Sequence, residues 1–150
     1  MVLLENKKSR QEYEVLSTLY AGIVLTGGEV KSLRNKSGSF TGSYVKIIGN
    51  EAFLLNAQIT PYKFSDNEDY DPKQTRKLLL RKKEIESLAE QENTRGFTII
   101  PLTFELIENK IKLKIGVARG KKQYERRAEM KKKANERDIQ REIRDKVRIR

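Results

Sequence analysis

The side chains able to do chemistry in this sequence are mostly cationic. The chain holds 32 Lys and Arg against 21 Asp and Glu, a formal net charge of +11, with no histidine and no cysteine. Without histidine the commonest general base is missing, and without cysteine so are thiolate nucleophiles and soft metal ligands. What remains is anion recognition, with lysine as a point charge and arginine as a planar fork of donors. In the body of the chain the residues of this kind are Asn6, Lys7, Lys8, Arg10, Lys31, Arg34, Lys36, Lys112 and Lys114. An isolated lysine is by default a solvated surface cation. Lys112 and Lys114 form a stronger pair, because a period of two puts both on one face of a strand. Tyr13, Tyr20, Tyr44 and Tyr62 offer rings on which bases can stack, although most tyrosines at strand positions belong to a core.

Other constellations carry less. Asp66, Glu68, Asp69 and Asp71 gather carboxylates, but without the glycine turn and terminal glutamate of a calcium loop. They read as a solvated acidic loop, and no metal or cofactor is expected. Gly27-Gly28 lacks the rest of a phosphate-binding loop. Glu29 lies three residues after Thr26, the spacing of a capping box, so the residues alone make it a helix cap.

The cations are unevenly spread. Residues 120–150 carry a net charge of +7, and residues 1–119 the other +4. The segment GKKQYERRAEMKKK, from Gly120, is half cationic and holds nothing to build a core from. High charge and few large apolar residues predict disorder in the free protein. Its Ala, Glu, Lys, Arg and Gln favour helix, and Glu129/Lys133 and Glu142/Lys146 are i, i+4 pairs. On a helix, Lys133, Arg137, Arg141, Arg144 and Arg148 share one stripe, and Ile139, Ile143 and Val147 another. Fully helical, the 31 residues span about 46 Å. The tail therefore reads as a conditional helix, ordered when phosphates neutralise it.

The body that positions these residues reads as mainly β. Residues 11–25 predict one long strand or two short ones, broken near Ala21-Gly22. TGGEVKSLRNKSG predicts a short helix, and YVKIIGNEAFLL a hairpin about Gly49-Asn50 whose second strand continues to Ile59. RKLLLR predicts a short buried strand, and KKEIESLAEQEN a helix with Ile85, Leu88 and Ala89 on one face. In the last hairpin Leu102, Phe104 and Leu106 alternate with Thr103 and Glu105. After Glu108-Asn109, Ile111, Leu113, Ile115 and Val117 alternate with Lys112, Lys114 and Gly116. Pro101 points to an edge or a bulge. Five or six antiparallel strands with two short helices fit an OB-like Greek-key barrel, an architecture that commonly binds oligonucleotides. An SH3-like barrel or a sandwich also fits that spacing. The division expected is a barrel over 1–119 and a basic tail over 120–150. The amino-terminal apolar run is too short for a secretion signal, and no run approaches the ~20 residues of a membrane span; a soluble, cytoplasmic protein is expected.

Five stretches, in order, resemble the SsrA-binding protein (SmpB) family, partners of transfer-messenger RNA: NKKSRQEY at 6–13, AGIVLTGGEVKSLR at 21–34, ITPY at 59–62, RKLLL at 76–80 and KLKIGVARGKKQYERR at 112–127. The resemblance implies an OB-like barrel that binds the tRNA-like domain of transfer-messenger RNA. It implies escort of that RNA, with EF-Tu, to stalled ribosomes, where the tail enters the decoding site and the empty mRNA channel as a helix. Carried over by position, it puts Glu29 on an acidic RNA-binding position. It puts Asn6, Lys7, Lys8, Lys31, Arg34, Arg119 and Lys121 on or beside a basic RNA-binding surface, to which the outward face adds Lys112 and Lys114. It also puts Gly120, Lys122, Tyr124, Glu125, Arg126 and Arg127 at the decoding-site junction, with Lys131, Lys132, Lys133, Arg137 and Arg141 following in the tail. Where the family usually has Asp-Lys-Arg this chain has Glu125-Arg126-Arg127, Arg81 stands where histidine is common, and residues 139–150 match in composition only.

The reading is thus an RNA-binding escort factor for ribosome rescue and not an enzyme. A general OB-fold RNA binder, or a ribosomal accessory protein, is the alternative. On this reading Glu29→Ala weakens RNA binding without unfolding the barrel.

Overall fold

A computed structural model describes residues 1–64 and 68–120, apart from the side chain of Arg10. The elements run β1 (Val2–Glu5), α1 (Lys7–Glu12), β2 (Tyr13–Ile23), α2 (Gly27–Arg34), β3 (Gly38–Ser39), β4 (Tyr44–Ile48), β5 (Glu51–Leu55), β6 (Gln58–Ile59), β7 (Arg76–Leu79), α3 (Lys82–Asn93), β8 (Phe97–Ile107) and β9 (Lys110–Gly120). Seven strands form one antiparallel sheet in the order β1-β8-β9-β2-β7-β5-β4, and β3 pairs with β6 in a separate ribbon. This is the mainly β, antiparallel architecture with short flanking helices that the sequence pattern called for. The sheet curls until β4 packs against β8 across the core.

The β8–β9 hairpin is the spine. Its turn residues, Glu108 and Asn109, have φ of 50° and 64°, the left-handed pair that a two-residue turn needs to match strand twist. From there Leu113, Ile115 and Val117 point inward and are at most 2% exposed. Pro101 does mark a bulge: the register passes from Pro101↔Ile115 to Thr103↔Lys114 and skips Leu102. The skipped residue is thrown to the outer face, so Leu102 does not share the core with Phe104 as strict alternation predicts. A Cβ built on Gly116 would lie 3.1 Å from both Leu102 and Val15; these three positions form an outer apolar seam.

Other departures have local causes. β2 is one strand with a bulge between Val15 and Ser17, not two pieces broken at Ala21-Gly22. Asn56 has φ 62°, which stops β5 and turns the chain so that Gln58–Ile59 pairs with Gly38–Ser39 instead of prolonging the hairpin. β7 is only half-buried: Leu78 is in the core and Leu79 is 53% exposed. The first twelve residues, in which no element was expected before a strand from Gln11, supply β1 and α1, and Gln11 and Glu12 are helical. α3 is pinned to β4 through Glu92, whose carboxylate is 2.7 Å from Lys46 Nζ and accepts from the Ile47 amide at 3.2 Å. The core centres on Phe104, stacked on Phe40 at 4.9 Å between ring centres, with Leu3, Leu33, Leu54, Ile59, Leu78 and Leu88 around it. β9 runs to Gly120, paired with Tyr13. No helix among the described residues is long and apolar enough to cross a membrane.

Candidate nucleic-acid interface

α2 begins with the capping box that its sequence specifies. Thr26 Oγ1 accepts from the Glu29 amide at 3.2 Å, and Glu29 Oε1 accepts from the Thr26 amide at 2.9 Å. The other carboxylate oxygen does something the local sequence does not announce. Glu29 Oε2 accepts from Arg76 Nε at 2.6 Å, from the Tyr70 hydroxyl at 3.1 Å and from Gln74 Nε2 at 3.2 Å. Glu29 and Arg76 are each 2% exposed. Arg76 also donates to the carbonyls of Ala57, Gln74 and Pro72. Such a buried pair is tolerable because nearly every donor and lone pair is met.

The electrostatics follow. Burial alone pushes the Glu29 carboxyl up, but the Thr26 amide and the Arg76 and Gln74 side chains together outweigh it, and its pKa lies below the ordinary value. Burial, and then the Glu29 charge, push the Tyr70 phenol up to about 12. At neutral pH the pair is therefore charged and Tyr70 is a neutral donor. The network ties the start of α2 to the segment that enters β7.

The basic residues fall into two groups. In the first, Asn6, Tyr13, Val15, Leu102, Thr103 and Lys114 line a cleft on the outer face of β2, β8 and β9. Asn6 does not project as a free contact: its Nδ2 donates to the Pro101 carbonyl at 2.8 Å and anchors the entry to α1. Lys7 and Lys8 are exposed on α1. Lys114 Nζ sits 5.8 Å from the centre of the Tyr20 ring, and Lys112 is half-buried on the same face. Tyr20 is 44% exposed, so this strand tyrosine is not core. Its hydroxyl is 3.2 Å from Glu105, whose charge, after desolvation, helps hold its pKa up. Arg119 is exposed and donates to Glu14 at 2.9 Å.

The second group lies on α2 and the turn that follows it. Lys31, Arg34 and Lys36 are exposed, and Lys31 Nζ is 5.4 Å from the centre of the Tyr62 ring. Glu29 belongs to the same helix but points inward. Arg76, Tyr70 and Gln74 were not singled out from sequence. The signal available was the alternation of RKLL, which puts Arg76 on the same inward face as Leu78 and so calls for a buried acid beside it. Lys121, Lys122, Tyr124, Glu125, Arg126, Arg127, Lys131, Lys132, Lys133, Arg137 and Arg141 lie outside the described residues, as do Asp66 and the Arg10 side chain. Asp71 accepts from the Lys73 amide at 2.9 Å and closes a turn.

A family profile described as "SmpB protein" matches residues 3–145. The SsrA-binding protein of Aquifex aeolicus is 47% identical over 148 residues, covering 98% of this chain and 94% of that one. The SsrA-binding protein of Staphylococcus saprophyticus is 43% identical over 141 residues, with coverage of 94% and 92%. A chain of a solved structure described as "tmRNA-SmpB: a journey to the center of the bacterial ribosome" is similar with a TM-score of 0.69 and 43% identity, over 89% of this chain and 94% of that one.

Proposed function

The chain belongs to the SmpB protein family, and on that premise we propose that it binds transfer-messenger RNA and acts with it on stalled ribosomes in trans-translation. The observation that carries this reading is identity of 47% to an SsrA-binding protein across 98% of the chain. The body grips the tRNA-like domain through Lys7 and Lys8 on α1, Lys31 and Arg34 on α2, and Lys112, Lys114 and Arg119 on β9, with Lys121 beyond it. Asn6 and Glu29 serve by holding that surface in shape. Residues from Gly120 onward reach the decoding site and the mRNA channel, using Lys122, Tyr124, Glu125, Arg126 and Arg127 first and the later cations after them.

The protein acts by binding and not by catalysis. EF-Tu enters the assembly through the charged RNA, and the work is done in the cytoplasm, where ribosomes are. Cations positioned on strands and a helix suit a folded RNA, whose phosphates lie in a fixed arrangement. Recovery of RNA bound to the full chain in cells, followed by sequencing, tests the proposal. Enrichment of an RNA with a tRNA-like acceptor fold supports it; recovery of unrelated transcripts in proportion to their abundance overturns it in favour of a general RNA binder.

A further inference from the structure

Phe64 is 75% exposed, the most exposed large hydrophobic side chain among the described residues. It does not stand alone. Its ring meets Tyr62 edge to face at 5.5 Å between centres. Lys63 Nζ lies 4.8 Å from the Phe64 ring centre, and Lys31 Nζ lies 5.4 Å from that of Tyr62. Two rings and two ammonium groups thus share one small patch beside α2.

The backbone that leads into the patch is clamped at Thr60. Ser32 Oγ donates to the Thr60 carbonyl at 2.6 Å, and the Thr60 amide donates to the Ser37 carbonyl at 3.3 Å. Both peptide groups of Thr60, two residues before Tyr62, are therefore held by α2 and the residues after it. The far end of the same loop is held by Tyr70, whose one hydroxyl proton is shared between the Ile59 carbonyl at 2.9 Å and Glu29 at 3.1 Å, and by Arg76, which donates to Pro72 at 2.9 Å and ion-pairs with Glu29. An exposed ring on a slack loop is unremarkable. Rings set over a clamped loop base, with cations at their faces, have the composition of a stacking platform for an unpaired base and its phosphate.

We propose that Tyr62 and Phe64, flanked by Lys31 and Lys63, take an unstacked nucleobase of the bound RNA. The rings give the base a π-face, and the two lysines meet the adjoining phosphates. This rests on the RNA-binding reading above and adds to it a second kind of contact, one that salt does not screen. It also gives Glu29 a part: it holds Lys31 and the platform loop in one frame without touching the RNA.

The test is equilibrium binding of the full chain to a transcript of the tRNA-like domain of a transfer-messenger RNA across a salt series. The variants are Phe64→Ala, Tyr62→Ala/Phe64→Ala, Phe64→Trp and Lys31→Ala. Loss of one stacked base predicts about a tenfold loss of affinity for the double variant, with the slope against salt unchanged. Phe64→Trp retains binding, and Lys31→Ala lowers the slope by about one. Because Phe64 is exposed, Phe64→Ala leaves the melting temperature where it was, and its affinity alone reports the platform if Tyr62→Ala disturbs the fold. Wild-type binding with unaltered affinity in both aromatic variants overturns the platform and leaves the functional reading standing. Loss of self-association in those variants, with RNA affinity unchanged, also overturns it and assigns the patch to protein contact. Failure of the wild-type chain to bind the transcript overturns the functional reading itself.

Discussion

Arg76 and Glu29, 47 residues apart in the chain, meet at 2.6 Å with both side chains only 1% exposed. One carboxylate thus closes the start of α2 and, at the same time, fastens the loop that leads into β7. Removing either partner leaves a bare charge in the interior. Glu29→Ala is expected to cost about 3 kcal/mol or more, read as a fall in denaturation midpoint. This revises the sequence-based expectation that the same substitution spares the fold. A double variant, Glu29→Gln/Arg76→Met, is expected to recover part of that loss.

The same pair separates direct from indirect roles in RNA binding. Arg76→Met alters no exposed atom, yet it releases the loop that carries Tyr62. Equal weakening of RNA binding by Arg76→Met and Glu29→Ala is the outcome expected of a positioning pair, measured at a temperature where both variants remain folded. Full affinity in folded Arg76→Met, with affinity lost in Glu29→Ala, would show that the carboxylate touches the RNA.

Stability depends on pH at both ends through this network. The Glu29 pKa is lowered in the folded protein, so the unfolded chain binds the proton first. Its contribution is present above the ordinary value of 4.5 and is lost as pH falls through the folded pKa. The Tyr70 pKa is raised from 10.0 to about 12, so the unfolded chain releases its proton first. That contribution is intact below pH 10 and is lost between about 10 and about 12. Denaturant midpoints across pH check both limbs, and Tyr70→Phe removes the alkaline one.

Gly38 leaves no room for a side chain: a Cβ there would lie 2.6 Å from the Gln58 carbonyl oxygen. That carbonyl is backbone in the paired β3–β6 ribbon and has little freedom to yield. Gly38→Ala is expected to destabilise by roughly 1–3 kcal/mol, and a thermal melt of the variant measures it.

The division between body and tail predicts that a chain ending at Gly120 folds and still binds the tRNA-like RNA but does not support tagging of stalled products. Ending at Gly120 keeps the last rung, Tyr13↔Gly120, that a cut at 119 removes. Loss of RNA binding by this truncation would contradict the proposed division.

The β8–β9 hairpin was legible because its alternation and its two-residue turn are local signals. Leu102 was misassigned because one bulged residue reverses the facing of its neighbours, and Pro101 marked the bulge without fixing which residue it displaced. The continuation of β5 to Ile59 failed at a single left-handed residue, Asn56, a conformation that its side chain permits and does not demand. Of the site, the capping box was legible because Thr26 and Glu29 are three residues apart. The partner of Glu29 was not, because nothing local in the chain records which distant strand delivers Arg76. Tyr62 was noted as a ring that can stack, while Phe64 was passed over, since exposure is a property of the fold and not of the residue.

The central claim is that this body recognises a folded RNA and not merely a polyanion. Competition binding at matched salt tests it, setting the tRNA-like domain of transfer-messenger RNA against an unstructured strand of equal length and charge. The account predicts preference for the tRNA-like domain by at least about a hundredfold, about 2.7 kcal/mol, persisting as salt rises. Equal affinity for the two, falling together with salt, would contradict it.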